Sequence, residues 1–153
     1  KIVSSTKIRK YLESGKIYLA NKLLSRTWFV DGIVNKGEKL GRKLGYRTCN
    51  FCIRNYILPK LGIYAVKVLI GNKKKIYNGV AYLGRRPTFE GKEIFLETNI
   101  FGIKKNLYKK KLIVYFLKFI RGDKKFRHRG ELIRQMNKDV IFAKKGLKAK
   151  LVI

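Results

Sequence analysis

The stretch YAVKVLIGNKKKIYNGVAYL, residues 64–83, decides the fold. Two runs rich in β-branched and aromatic residues flank a Gly-Asn-Lys turn, which reads as strand, turn, strand. The same texture extends outward on both sides. FVDGIV (29–34), NFCI (50–53), IFLETNIF (94–101) and LIVYFLKFI (112–120) are further runs of this kind, separated by Gly, Asn, Pro and Lys turns. Six short strands with no helix between them predict a mainly β fold, a six-stranded antiparallel barrel that is closed or nearly closed. Helical spacing is confined to the ends. SSTKIRKYLESGK (4–16) predicts a short helix capped by Ser4, Ser5 or Thr6, with Ile8 and Leu12 on its apolar stripe and Gly15 at its end. A second helix is expected over about 16–25, with Ile17, Ala20, Leu23 and Leu24 inward. The tail from Gly130 to Leu147 places Leu132, Ile133, Met136, Val140 and Ala143 on one helical face.

A chain of 153 residues with 46% apolar content suits one compact domain with a short appendage. Its longest apolar runs, such as LIVYFL (112–117), fall far short of the roughly 20 residues that a membrane helix needs, so a soluble protein with no membrane partner is expected. Two cysteines form no disulfide framework, and a reducing, cytoplasmic setting with free thiols follows as the expectation. Met136 is the only methionine and the chain starts at Lys1, which reads as a piece of something longer. The formal charge of +29, from 38 Lys+Arg against 9 Asp+Glu, makes nucleic acid the first partner to weigh. The cations are 27 lysines and 11 arginines, spread from end to end with brief clusters at 73–75 and 109–111. Base-specific readers favour arginine forks, so a solvated basic surface is the plainer reading. Binding of single-stranded nucleic acid by a basic barrel, and steering of an anionic substrate, stay open beside it.

GEKLGRKLG, residues 37–45, sets glycines at 37, 41 and 45 among Lys39, Arg42 and Lys43. Such a loop can bring backbone N–H groups against a phosphate, or it can be a plain basic hairpin loop. It lacks the Gly-Lys-Ser/Thr ending of a Walker A loop. Directly after it comes TCNF (48–51). In an extended strand Thr48, Asn50 and Cys52 face one way and Cys49 and Phe51 the other, so the Cys-x-x-Cys thiols diverge. One histidine and no further cysteine leave zinc without its four ligands, and no β-α-β setting supports a redox pair. Thr48 and Asn50 place two neutral oxygen donors on one face, which suits Mg2+ beside nucleotide phosphates and equally suits exposed polar positions at a turn. Glu97 shares its strand face with Phe95, Asn99 and Phe101. A carboxylate there can accept a proton from a substrate hydroxyl, or it pairs with one of the many lysines. His128, in FRHRG, has no chemistry assigned.

Taken in order, these motifs resemble riboflavin kinase, in particular the C-terminal kinase module of bacterial bifunctional riboflavin kinase/FAD synthetases. KLGRKLGYRTCN (39–50) is similar to the family's G-x-x-L-G-x-P-T-A-N, with Arg47 for Pro and Cys49 for Ala. GVAYLGRRPTF (79–89) resembles G-V-A-N-I-G-x-R-P-T-F, with Tyr82 for Asn; LETNIF (96–101) resembles E-T-H-I-F, with Asn99 for His. NLYKKKLIVYFLKFIR (106–121) matches the D-L-Y-G-K segment and its strand, with Lys109 for Gly, and DKKF precedes a terminal helix. The resemblance spans about residues 28–145. It implies a Greek-key, split-barrel-like barrel with a C-terminal helix that transfers the ATP γ-phosphoryl group to riboflavin, giving FMN and ADP. By carry-over Glu97 is the catalytic base, and Thr48 and Asn50 hold the metal, Mg2+ or another divalent cation. Lys39, Gly41, Lys43, Leu44 and Gly45, together with Thr48 and Asn50, bind ATP and its phosphates. Val114, Leu117, Phe119 and Arg121 line the flavin side. IVSSTKIR (2–9) resembles the end of the family's adenylyltransferase domain, so residues 1–26 are expected as a helical remnant or linker and 27–153 as the kinase barrel. The H-x-G-H site of that upstream domain is not in this sequence, so FAD synthesis is expected of the full-length protein and not of these residues. A flavin-binding module weakened in catalysis by its departures is the remaining alternative.

Overall fold

A computed structural model describes residues 4–36, 47–54, 57–147 and 151–153. All six predicted strands form: β1 (Phe29–Ile33), β2 (Cys49–Cys52), β3 (Gly62–Ile70), β4 (Ile76–Thr88), β5 (Gly91–Ile100) and β6 (Lys111–Arg121). They make one sheet in the order β1-β6-β3-β4-β5-β2, with every ladder antiparallel. The two end strands meet through a bridge in which the Asn35 N–H donates to the Asn50 carbonyl at 2.7 Å, so the barrel is nearly closed. Gly32 permits that approach, since a Cβ on it would stand 2.2 Å from the Phe51 ring.

Alternation sends Phe51, Tyr64, Val66, Val68, Leu83, Leu96, Leu112, Val114 and Phe116 inward, where they form the main core. Each such side chain removed from water contributes about 1.5–3 kcal/mol before chain entropy is charged against it. β4 and β5 run further than their apolar patterns indicate, pairing Arg85 with Ile94 out to Thr88 with Gly91. Gly84 and Pro87 read as turn residues in the sequence. However, β3 pairs with β4 only as far as Leu83, and beyond that point β4 has a free edge, where a proline is tolerated.

The terminal helices are α1 (Ser5–Glu13), α2 (Ile17–Leu24) and α3 (Arg129–Gly146). Ser4 caps α1 by accepting from the Lys7 N–H at 3.3 Å, and Gly15, at φ 76°, follows its end. Leu12, Ile17 and Ala20 are buried in the same core as the barrel. Asn21 fastens α2 to β6 and β1: its Nδ2 donates to the Phe116 carbonyl at 2.9 Å and its Oδ1 accepts from the Trp28 N–H at 2.8 Å. α3 lies on the outer side of the sheet, where Ala65, Leu117, Ala143 and Leu147 make a second, smaller core. The β3–β6 register slips twice, between Ile63 and Tyr64 and between Ala65 and Val66. The second slip leaves Leu117 unpaired where it packs under α3, and shifts the alternation beyond it so that Phe119 points in against Tyr64.

Candidate active site

Strand register assembles the site. Asn50 of β2 pairs with Glu97 of β5, Glu97 with Tyr82 of β4, Tyr82 with Ile63 of β3, and Ile63 with Arg121 of β6. Directly opposed residues in antiparallel ladders share a face, so these five side chains form one row across the outside of the barrel. All five line a cleft of about 570 Å3 between that face and α3. This size is in the usual range for a small-molecule site. Its apolar wall includes Val80, Phe95, Phe126, Leu132, Met136 and Val140, and Thr48 and Asn99 border it at the β2 end.

Three carboxylates line the cleft, and the structure separates their roles. Asp139, 3% exposed, accepts a two-pronged pair of bonds from Arg121 (Nε to Oδ1 and Nη2 to Oδ2, both 2.8 Å) and a third from Gln135 Nε2 at 3.0 Å. Asp123 accepts from the Tyr82 hydroxyl at 2.7 Å and from the Lys124 N–H at 2.8 Å. Glu97 is half-buried and has no hydrogen bond or ion pair to any described residue. Burial, followed by the hydrogen bond to Asp123 and the charges of Asp123 and Glu97, holds the Tyr82 phenol above the ordinary tyrosine range. Tyr82 therefore stays a neutral donor at any physiological pH.

Asn50 is 8% exposed, and its Oδ1 is buried without a hydrogen-bond partner among the described residues. A buried amide oxygen of this kind is costly unless something binds it. With Thr48 two residues away on the same strand face, the donors fit a hard divalent cation completed by phosphate and water oxygens. Among the described residues no three of His, Cys, Asp or Glu gather as a protein-only metal cage. Asn99 Nδ2 donates to the Arg47 carbonyl at 2.7 Å, fixing the backbone just before Thr48. The cysteines diverge as the alternation requires. Cys49 packs toward the core and its thiol is pushed by burial up to about 11, while Cys52 accepts a long contact from Arg86 at 3.7 Å.

The sequence-derived site residues fall into three groups. Thr48, Asn50, Glu97 and Arg121 come together in the cleft. Lys39, Gly41, Lys43, Leu44 and Gly45 lie outside the described residues. Val114, Leu117 and Phe119 do not line the cleft. Val114 is fully buried inside the barrel, Leu117 packs in the second core under α3, and Phe119 stacks on Tyr64 at 5.2 Å. Alternation itself sends Val114 inward and Leu117 outward, and the extra residue at the second slip shifts the alternation so that Phe119 faces in against Tyr64. Sequence reasoning missed Asp123, Phe126 and Asp139. Asp139 was detectable, since it stands seven residues after Leu132 and four before Ala143, on the apolar stripe of α3, where an acid demands a partner.

Fold and site define a β-barrel protein with a largely apolar cleft of small-molecule size. Comparison with known proteins supplies the family. Residues 24–147 match the family model of riboflavin kinase, the flavokinases, and the chain belongs to that family. It is 38% identical over 143 residues to the bifunctional riboflavin kinase/FMN adenylyltransferase of Bacillus subtilis, covering 91% of this chain and 45% of that protein. The chain thus spans less than half the length of that relative. A solved chain from Streptococcus pneumoniae, described as a macrolide-efflux protein, superposes with a TM-score of 0.86 at 33% identity, over 93% of this chain and 46% of that one. Riboflavin kinase from Trypanosoma brucei superposes with a TM-score of 0.56 at 17% identity, over 78% of this chain and 79% of that one, a likeness of fold. No helix among the described residues is long and apolar enough to cross a membrane.

Proposed function

We propose that this chain transfers the γ-phosphoryl group of ATP to the ribityl 5′-hydroxyl of riboflavin, giving FMN and ADP. The observation that carries the reading is Glu97: of three cleft carboxylates it alone has no partner among the described residues, and register sets it between Asn50 and Tyr82. In the reaction the Glu97 carboxylate accepts the hydroxyl proton while the ribityl oxygen forms its bond to the γ-phosphorus and the bond to the β-phosphate oxygen breaks. A divalent cation such as Mg2+, held by Thr48 and Asn50, would offset phosphate charge there. Catalysis then asks of the barrel mainly alignment, which a rigid strand row supplies. The aliphatic and aromatic wall of Ile63, Phe126, Leu132, Met136 and Val140 suits the flat face of an isoalloxazine ring. Arg121 shapes that wall by holding Asp139 of α3. Lys39, Gly41, Lys43, Leu44 and Gly45 take part in binding ATP and its phosphates in this reading. The longer relatives carry a second activity in their names; we assign the corresponding FAD-forming step to an adenylyltransferase domain of the full-length protein, working with this module in the cytoplasm.

Incubation with riboflavin, ATP and Mg2+, followed by chromatography, should yield FMN. Glu97→Gln should lower that rate by about 10²–10⁴, the usual worth of a positioned general base, while riboflavin fluorescence quenching persists. An unchanged rate removes Glu97 as the base. Quenching without turnover in the wild-type chain replaces the kinase reading with a flavin-binding module.

A further inference from the structure

The connector between β6 and α3, residues 122–128, forms one lip of the cleft and brings Asp123, Lys124 and Phe126 to it. At its root the Arg121 Nη1 donates to the Gly122 carbonyl at 3.0 Å, and at its far end the Arg127 N–H meets Glu131 Oε2 at 3.3 Å. Between these points the Tyr82 hydroxyl donates to Asp123 Oδ2 at 2.7 Å, linking β4 to the connector. The Tyr82 ring is itself braced. It meets the Phe95 ring edge-on at 5.5 Å, and Gly84 leaves the space it occupies, since a Cβ there would stand 2.7 Å from the phenol. Position 82 holds asparagine in the motif that this segment resembles, and an asparagine side chain is too short to span from β4 to Asp123.

We infer that Tyr82 is a positioning residue, whose hydroxyl pins the connector against the barrel and thereby sets how tightly this enzyme holds the flavin. The inference rests on reading the cleft as the riboflavin site. The pin acts before any ligand arrives, so it lowers the ordering cost that the ligand must otherwise meet on binding. Phe126 stands on the pinned segment, with the Arg121 guanidinium and the Lys124 ammonium each 5.8 Å from its ring centre. Loosening the segment therefore displaces an aromatic wall and a cation together. Tyr82 is also the cross-strand neighbour of Glu97, yet its hydroxyl is committed to Asp123, so its effect falls on flavin affinity rather than on proton transfer.

Steady-state kinetics with each substrate varied in turn, together with stopped-flow release of FMN, test this. Tyr82→Phe keeps the ring and removes the pin. It should raise KM for riboflavin and the FMN release rate roughly fivefold, the worth of one partly solvated hydrogen bond, with a much smaller change in kcat and in KM for ATP. Asp123→Ala, at an exposed position, removes the same bond from the other side and should do the same. The double variant should be no worse than either single one, because both delete one interaction. A wild-type chain that neither quenches riboflavin fluorescence nor forms FMN overturns the cleft assignment and this inference with it. A wild-type chain that does both, while either variant leaves KM for riboflavin and FMN release unchanged or the two effects add, overturns the inference alone.

Discussion

Asp139→Ala should be the most damaging single change in the wall of the cleft. The carboxylate is 3% exposed and receives three hydrogen bonds, two of them from the Arg121 guanidinium in fork geometry at 2.8 Å. Deleting one member of a buried pair costs about 3–5 kcal/mol, because the other charge is left without compensation. The Arg121 side chain keeps 21% of its exposure, so water can reach part of the guanidinium, which places the cost near the lower end, at about 3 kcal/mol. With a urea slope of about 1.5 kcal/mol per molar, the unfolding midpoint should drop by about 2 M. Melting should fall by about 6–12 °C for a domain of this size. Riboflavin affinity should weaken as well, since Arg121 and Asp139 join β6 to the helix that carries Leu132, Met136 and Val140. Replacing both partners, as Arg121→Met with Asp139→Leu, should recover most of the stability, because an apolar pair leaves no buried charge. Urea denaturation of the four proteins in the cycle gives the coupling directly. A midpoint drop below about 0.5 M for Asp139→Ala, or additive effects of the two single substitutions, would refute the reasoning.

Two further outcomes follow from single contacts. Asn99→Ala deprives the Arg47 carbonyl of its 2.7 Å donor and frees the backbone before Thr48; KM for Mg-ATP should rise roughly fivefold, with Asn99→His restoring part of it, and an unaltered ATP titration would show that the bond does not position Thr48. Burial moves the Cys49 thiol from 9.0 up to about 11, so the folded chain binds this proton more tightly than the unfolded chain. Its contribution to stability is complete below pH 9 and is lost as pH rises toward 11, and alkylation at pH 8 should be slower than that of a free thiol by roughly 10²; rapid labelling of native protein would contradict the burial.

Much of this was legible before any coordinates. Alternation over 64–83 and its neighbours determined six strands, and the same period separated Thr48 and Asn50 from Cys49 and Phe51, as the structure shows. What the local pattern could not convey was the reach of β4 and β5 past Gly84 and Pro87, because the free edge that tolerates the proline exists only once β3 has stopped at Leu83. Along β6 the resemblance grouped Val114, Leu117 and Phe119 on the flavin side, yet alternation already opposes Val114 to Leu117, and only Phe119 departs from that alternation by turning in against Tyr64. The second register slip between β3 and β6 causes that, and slips are properties of a pair of strands.

The division is therefore physical. A strand's two faces follow from a backbone repeat of two residues, so the sequence by itself determined which groups could share a surface and, through the order of its motifs, which family they resemble. Register between strands far apart in the chain depends on closing the whole barrel, and only the tertiary structure decided that Asn50, Glu97, Tyr82, Ile63 and Arg121 stand in one row. The same closure brought α3 and the connector over that row. Arg121 and Gln135 thereby engaged Asp139, Tyr82 engaged Asp123, and Glu97 was left as the cleft carboxylate without a hydrogen-bond partner among the described residues.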